Sequence, residues 1–160
     1  MGRGYIARCL CVLALVACKS APPPPPKPVV TELEVGASSD INPDPEGRAS
    51  PLVLRVFQLR TDAEFAGANY FPLYDKEKDI LAAALISRDE FNVAPGGHVM
   101  QELPVAPDAR YIGVLAAYRD AAAQWRALAP LPPKPAGTAA ARERHITVRL
   151  NKAAVVLTIN

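Results

Sequence analysis

His98 and His145, the scattered carboxylates, and Trp125 beside Arg126 are the residue types here that could carry acid/base, metal or stacking chemistry. A metal site needs three or four His, Cys or carboxylate ligands brought together, usually with short spacings between some of them. His98 follows Gly96-Gly97 in a predicted turn and His145 precedes the last apolar alternation, and neither has such neighbours in the chain. Both read as surface residues. Asp89-Glu90, and Asp75 with Glu77, are the kind of carboxylate pair that can cleave a glycan, but surface strands and helix ends carry such pairs routinely. The sequence holds no Gly-x-Ser-x-Gly elbow. Gly96-Gly97 is too short for a phosphate-binding loop and no helix pattern follows it. Trp125-Arg126 fits a cation-π contact, an exposed hot spot or a core tryptophan, the last being commoner in a small domain. No residue is assigned a catalytic or metal-binding role.

Cys18 is different. It ends a short apolar run, Leu15-Val16-Ala17-Cys18, behind an N-terminus whose charges are Arg3 and Arg8. The stretch Cys9 to Ala17 is too short for a membrane-spanning helix, which needs about 20 residues, and suits the apolar region of a signal peptide. Small Ala17 gives a cleavable junction. The run resembles a lipobox, at which the thiol is acylated, the preceding peptide is removed and the new amino terminus is acylated in turn with a palmitate-type chain. One acyl chain binds a membrane only marginally, whereas several on one residue anchor durably. Residues 1–17 therefore read as a lipoprotein signal peptide. Lys19 stands where the commonest inner-membrane retention signal has Asp, which favours the outer membrane.

Removing that peptide takes two basic residues with it and leaves 16 basic and 16 acidic side chains. A net charge near zero gives no general attraction for nucleic acid or anionic lipid. Cys9 and Cys11 leave as well, so no disulfide can form within the mature chain and stability must come from packing. Pro22 to Pro26, Lys27 and Pro28 follow the anchor. Polyproline geometry advances about 3.1 Å per residue, so residues 18–28 form a tether able to lift a domain about 30 Å from lipid. A ligand for a proline-binding module is the other reading of this run.

Residues 29–160 are enough for one domain. Leu33 and Val35 alternate with Glu32 and Glu34, as in a half-buried strand. Leu52 to Leu59 has one apolar face (Leu52, Leu54, Val56) and one mixed face (Val53, Arg55, Phe57, Leu59), the pattern of a strand covered on both sides. Between these strands, Asp40 to Ser50 carries two prolines, a glycine and three carboxylates, and reads as a polar excursion. Thr61-Asp62-Ala63-Glu64 has capping-box spacing, which predicts a short helix. Gly67 and Pro72 interrupt it, and a second helical piece is expected within Asp75 to Leu85. Phe91-Asn92-Val93 and Val99 to Leu103 flank Pro95-Gly96-Gly97 and predict a hairpin. Tyr111 to Tyr118 predicts a central strand, with Trp125 to Leu128 pairing beside it. Residues 129–144 show no strand pattern, apart from a marginal helical turn over Ala139 to Arg144. Ile146, Val148 and Leu150, then Val155, Leu157 and Ile159, predict a closing hairpin that seals a sheet edge. Seven or eight strands with one helical insert between the second and third predict an all-β, two-sheet antiparallel β-sandwich.

Taken in order, Asn42-Pro43-Asp44, Gly47-Arg48-Ala49-Ser50-Pro51, Val53 to Leu59, Phe71 to Asp75, and Tyr111-Ile112-Gly113-Val114 through Tyr118-Arg119 to Trp125-Arg126 resemble the TssJ (SciN) family of type VI secretion lipoproteins. The resemblance implies a transthyretin-like sandwich, a non-catalytic role and no cofactor beyond covalent lipid on Cys18. It implies an outer-membrane lipoprotein, its domain facing the periplasm, that binds the inner-membrane component TssM within a complex also containing TssL. In that family the loop between the first two strands meets the partner. The corresponding residues are Asp40, Ile41, Asn42, Pro43, Asp44, Pro45, Glu46, Gly47 and Arg48. This loop is fairly short and has no aromatic residue, so a Trp or Tyr hot spot is missing and contact must extend to neighbouring segments. A tethered binding module for envelope glycan or another small ligand is the alternative function.

Overall fold

The computed structural model describes residues 29–133 and 144–160. Cys18, the proline run and most of the turn expected over Ala139 to Arg144 lie outside the described residues. The elements are β1 (Val29–Ala37), β2 (Leu52–Leu59), α1 (Ala63–Gly67), α2 (Tyr70–Asp75), α3 (Glu77–Leu81), a 3-10 turn (Ala82–Ala84), β3 (Leu85–Val93), β4 (His98–Val105), β5 (Tyr111–Ala116), β6 (Arg126–Pro130), β7 (His145–Asn151) and β8 (Ala154–Ile159). Sheet A has the order β4-β1-β7-β8 and sheet B the order β3-β2-β5-β6. The expected sandwich and its helical insert are both present.

Strand direction reverses at every step along the chain, so odd-numbered strands run one way and even-numbered strands the other. All neighbours are therefore antiparallel except β1 and β7, both odd, which lie side by side and pair in parallel. This one pairing departs from the fully antiparallel expectation. The alternation also sorts the connections. The β1–β2, β3–β4, β5–β6 and β7–β8 connections share one end of the sandwich. Residue 29, where the chain enters β1, stands at the other.

Three local expectations are corrected. Phe91-Asn92-Val93 and Val99 to Leu103 are not a hairpin, because β3 pairs with β2 in sheet B and β4 with β1 in sheet A. The turn itself exists, with Gly96 at φ 68° and the Gly97 amide donating to Ala94 O at 2.9 Å. It is an arch between sheets, and apolar alternation reads the same for an arch as for a hairpin. The capping box is also incomplete: Thr61 Oγ1 donates to Glu64 Oε2 at 2.8 Å, so the two side chains satisfy each other, and Asp62 is the N-cap residue without a side-chain cap bond. Finally, β6 continues to Pro130 and Leu131 is buried, so order extends into a stretch that shows no strand pattern.

Two apolar layers hold the fold. Between the sheets lie Leu33, Val35, Leu52, Leu54, Val56, Ile112, Val114, Ile146, Val148, Leu150 and Val155. On the outer face of sheet B, Phe57, Leu59 and Leu115 pack against Phe65, Leu73 and Leu81 of the helical insert. The two-faced pattern of β2 thus has a cause on each side. Full burial of each such side chain is worth about 1.5–3 kcal/mol. Gly113 is what lets the insert seat: a Cβ there would meet the Phe65 ring at 2.9–3.1 Å.

Candidate functional site

The β1–β2 loop is braced from within. Ile41 is fully buried and Asn42 nearly so. Asn42 has φ 48°, in the left-handed region that Asn tolerates better than most residues. Its Nδ2 donates to Pro51 O at 2.9 Å and its Oδ1 accepts the Arg119 amide at 2.8 Å. One side chain therefore closes the loop on itself and ties it to the β5–β6 connection. The Asn42 amide donates to Lys152 O at 3.0 Å, joining the β7–β8 turn, and the Ser50 amide donates to Ile41 O at 3.1 Å across the loop base.

Asp44 organises the tip. Its Oδ1 accepts the amides of Glu46 (3.1 Å) and Arg48 (2.8 Å), and its Oδ2 accepts Arg48 Nε at 2.8 Å. Gly47 at φ 80° turns the chain and donates its amide to Asp44 O at 2.9 Å. These bonds favour the charged carboxylate, so the Asp44 pKa is lowered, chiefly by the Arg48 amide and then by the Arg48 side chain. Of the nine residues named from sequence, Asp40, Pro45, Glu46, Gly47 and Arg48 are exposed, Pro43 and Asp44 are half-buried, and Ile41 and Asn42 face inwards as supports. The excursion is thus a rigid turn on a buried base. Its charge also differs from a simple acidic loop, since Arg48 neutralises Asp44 and lies 3.6 Å from Glu46.

Sequence reasoning missed the residues that hold this loop from other elements. Tyr118 is buried, and its hydroxyl lies 2.9 Å from Asn151 O and 2.8 Å from Ala154 O, sharing one proton between them. Burial pushes its phenol up to about 12. Only the Asp44/Arg48 pair carried a local signal, its spacing of four residues. Arg119 and Lys152 reach the loop, and Tyr118 braces the β7–β8 turn that carries Lys152, through tertiary contacts that no spacing reports.

The other chemistry-bearing residues are dispersed. His98 Nε2 lies 3.2 Å from Glu34, and His145 Nε2 3.2 Å from Glu32, all on the outer face of sheet A. The His98 hydrogen bond, opposed by burial and assisted by Arg149, holds Glu34 below the ordinary carboxylate range. Asp89 and Glu90 are adjacent in β3, where successive side chains point to opposite faces. Glu77 turns inward to Arg55 at 3.2 Å and Arg88 at 3.0 Å. Trp125 is half-buried against both apolar layers, with Tyr70 edge-on at 5.2 Å and Arg126 over its ring at 4.9 Å. Among the described residues, no group of three or more His, Cys, Asp or Glu can hold a metal, and no helix is long and apolar enough to cross a membrane.

Residues 30–153 match the family model for type VI secretion lipoproteins, described as VasD, EvfM, TssJ and VC_A0113. No curated protein matches the chain. Among solved structures, the T6SS lipoprotein TssJ1 from Pseudomonas aeruginosa is 30% identical with a TM-score of 0.74, over 83% of this chain and 97% of that one. Lip from Serratia marcescens, a membrane-bound component of the type VI secretion system, is 29% identical with a TM-score of 0.70, over 82% and 96%. A chain of a structure described as the T6SS protein TssM C-terminal domain from EAEC shares the fold, at 24% identity and a TM-score of 0.64, over 80% and 99%. That family consists of secretion-system lipoproteins. With the family match running from β1 into the β7–β8 turn, this chain belongs to the type VI secretion lipoprotein family, the family of TssJ.

Proposed function

We propose that this chain is a non-catalytic lipoprotein that anchors a type VI secretion membrane complex to the outer membrane. Residues 1–17 are the signal peptide, Cys18 carries the lipid, residues 18–28 are the tether and residues 29–160 form the domain facing the periplasm. The exposed tip of the β1–β2 loop binds the periplasmic part of a TssM-like inner-membrane protein, within a complex that includes TssL. The observation carrying this reading is the polarity of β1: the tether joins its start at Val29 and the braced loop leaves its far end, after Ala37. A strand of nine residues spans about 26 Å from first to last Cα at roughly 3.3 Å per residue. The loop is thereby held away from the lipid. Family membership and the recurrence of the fold in a TssM C-terminal domain structure add support.

Full-length lipoprotein extracted in detergent should co-purify with the periplasmic fragment of the TssM-like protein. Replacing residues 43–48 by Gly and Ser, while keeping Ile41 and Asn42, should abolish that binding. Undiminished binding would overturn the loop assignment. Cys18→Ser should leave a folded domain that still binds yet fails to support secretion. Normal secretion by that variant would remove anchoring as the role. Saturable glycan binding with no protein partner recovered would favour a ligand-binding module instead.

A further inference from the structure

At the loop end of sheet A the surface opens into a cleft of about 320 Å³, lined by Gly36, Ser38, Gly97, His98, Arg149 and Asn151 among others. That volume is at the floor of the range for small-molecule sites and suits one side chain entering from a partner. The cleft and the β1–β2 loop are one hydrogen-bonded unit. The Ala37 amide donates to Gly97 O (2.9 Å), the Ser38 amide to Leu150 O (2.8 Å), and the Gly96 amide to Ser38 O (3.0 Å). Ser38 Oγ then donates to Asp40 Oδ1 at 2.6 Å, so the rim of the cleft runs directly into the loop.

The small floor has a steric purpose. A Cβ on Gly36 would stand 2.5 Å from Arg149 Nη1, so glycine leaves room for the guanidinium to lie against the β1 backbone and a methyl there would push its end aside. Arg149 spends one nitrogen, Nη2, on Glu34 at 3.1 Å. Nη2 keeps a second proton and belongs to both forks of a guanidinium, one with Nη1 and one with Nε. Nη1 and Nε have no hydrogen-bond partner among the described residues, so one fork stays open, and the side chain is 55% exposed. His98, from β4, points at the same Glu34 oxygen. The groups facing this point are therefore one carboxylate, one guanidinium with a free edge, and one imidazole.

We propose that the cleft receives a carboxylate of the protein partner, held by the free edge of Arg149. A guanidinium presents parallel donors in a fixed fork that matches a carboxylate, and Arg is among the residue types that dominate interface energetics. This supplies the anchor that the loop, lacking aromatics, does not. It also fixes orientation. The loop tip offers Glu46 and the cleft offers Arg149, so a partner presenting opposite charges to each docks in one rotation and not in its reverse.

The inference rests on the loop reading above, and its test separates the two. Affinity of the full-length lipoprotein, in detergent, for the periplasmic fragment of the TssM-like protein is measured for the native chain, the 43–48 replacement, Arg149→Glu, Arg149→Gln and Arg149→Lys. Arg149→Glu should weaken binding at least tenfold and Arg149→Gln about fivefold. Arg149→Lys, which keeps charge but loses the fork, should fall between native and Gln. Gly36→Ala, which pushes the guanidinium end aside but keeps its charge and donors, should weaken binding less than Arg149→Gln. Melting temperatures check that each variant is folded, as a half-exposed surface side chain permits. If the loop replacement abolishes binding while Arg149→Glu and Arg149→Gln stay within twofold of native, the cleft assignment fails and the loop reading stands. If every variant binds as native, both fail.

Discussion

Arg55 and Arg126 stand on one row of sheet B, joined through Leu115 of β5, and each donates to a carbonyl at an opposite end of α2. Arg126 Nη1 reaches Ala68 O at 2.6 Å, just before the helix, and Arg55 Nη1 reaches Tyr74 O at 2.6 Å, near its last residue. A six-residue helix has little stability of its own, so these two side chains and the apolar layer beneath position it. Arg55 does more, since it also pairs with Glu77 at 3.2 Å and Glu90 at 2.8 Å and lies over the Tyr74 ring at 4.2 Å.

Arg55→Ala should therefore destabilise the domain by about 3 kcal/mol, because it leaves the largely buried Glu77 with less compensation. Arg126→Ala should cost about 1 kcal/mol, the scale of an ordinary hydrogen bond. Denaturant titration gives both values, and hydrogen exchange should show α2 opening first in each. Equal losses would contradict the unequal roles assigned to the two arginines.

Gly113→Ala tests the seat of the insert. The added methyl meets the Phe65 ring, and overpacking of this kind costs about 1–3 kcal/mol. Phe65→Leu in the same chain should recover part of that loss, which a double-mutant cycle reads directly. No recovery would mean that the Phe65 contact is not what requires glycine.

Loop order should follow the Asp44 carboxylate. Its pKa is lowered in the folded chain, so its contribution is present above the unfolded value, near 3.9, and is lost as pH falls through the folded one. The amide signals of Glu46 and Arg48 should hold their neutral-pH positions to below pH 4 and then move together. In Asp44→Asn they should be shifted already at neutral pH and lack that acid transition. Asn42→Ala, by contrast, should weaken the whole domain by about 1–2 kcal/mol, since it removes the two hydrogen bonds of a nearly buried side chain.

Tyr118 has the opposite sign. Its phenol is pushed up to about 12, against about 10 in the unfolded chain. Its neutral form is thus favoured in the fold, and the contribution is full below pH 10 and lost as pH rises toward 12. Stability measured from pH 9 to 12 should fall, and Tyr118→Phe should flatten that limb while lowering stability at pH 7. A limb unchanged in Tyr118→Phe would assign the alkaline transition elsewhere.

Much of this fold was legible because strand alternation is a local property. Leu33 and Val35, Leu52, Leu54 and Val56, and the closing hairpin all face as their patterns predict. Pairing partners are not local, which is why Val93 and Val99 read as one hairpin and belong to two sheets. The loop was legible as an excursion from its prolines, glycine and charges. Its inner bracing was not, because Asn42 acts through Arg119 and Lys152, and Arg149 acts through the absence of a side chain on Gly36.

Val29 and the β1–β2 loop occupy opposite ends of one strand, and that strand is flanked on both sides, by β4 and β7. Tension applied between Val29 and the loop runs along β1. The ladder bonds to its antiparallel neighbour lie across that direction, so such a load shears whole rows of hydrogen bonds together and does not peel them singly. In the anchoring role proposed above, the domain would act as a mechanical link loaded in shear along β1.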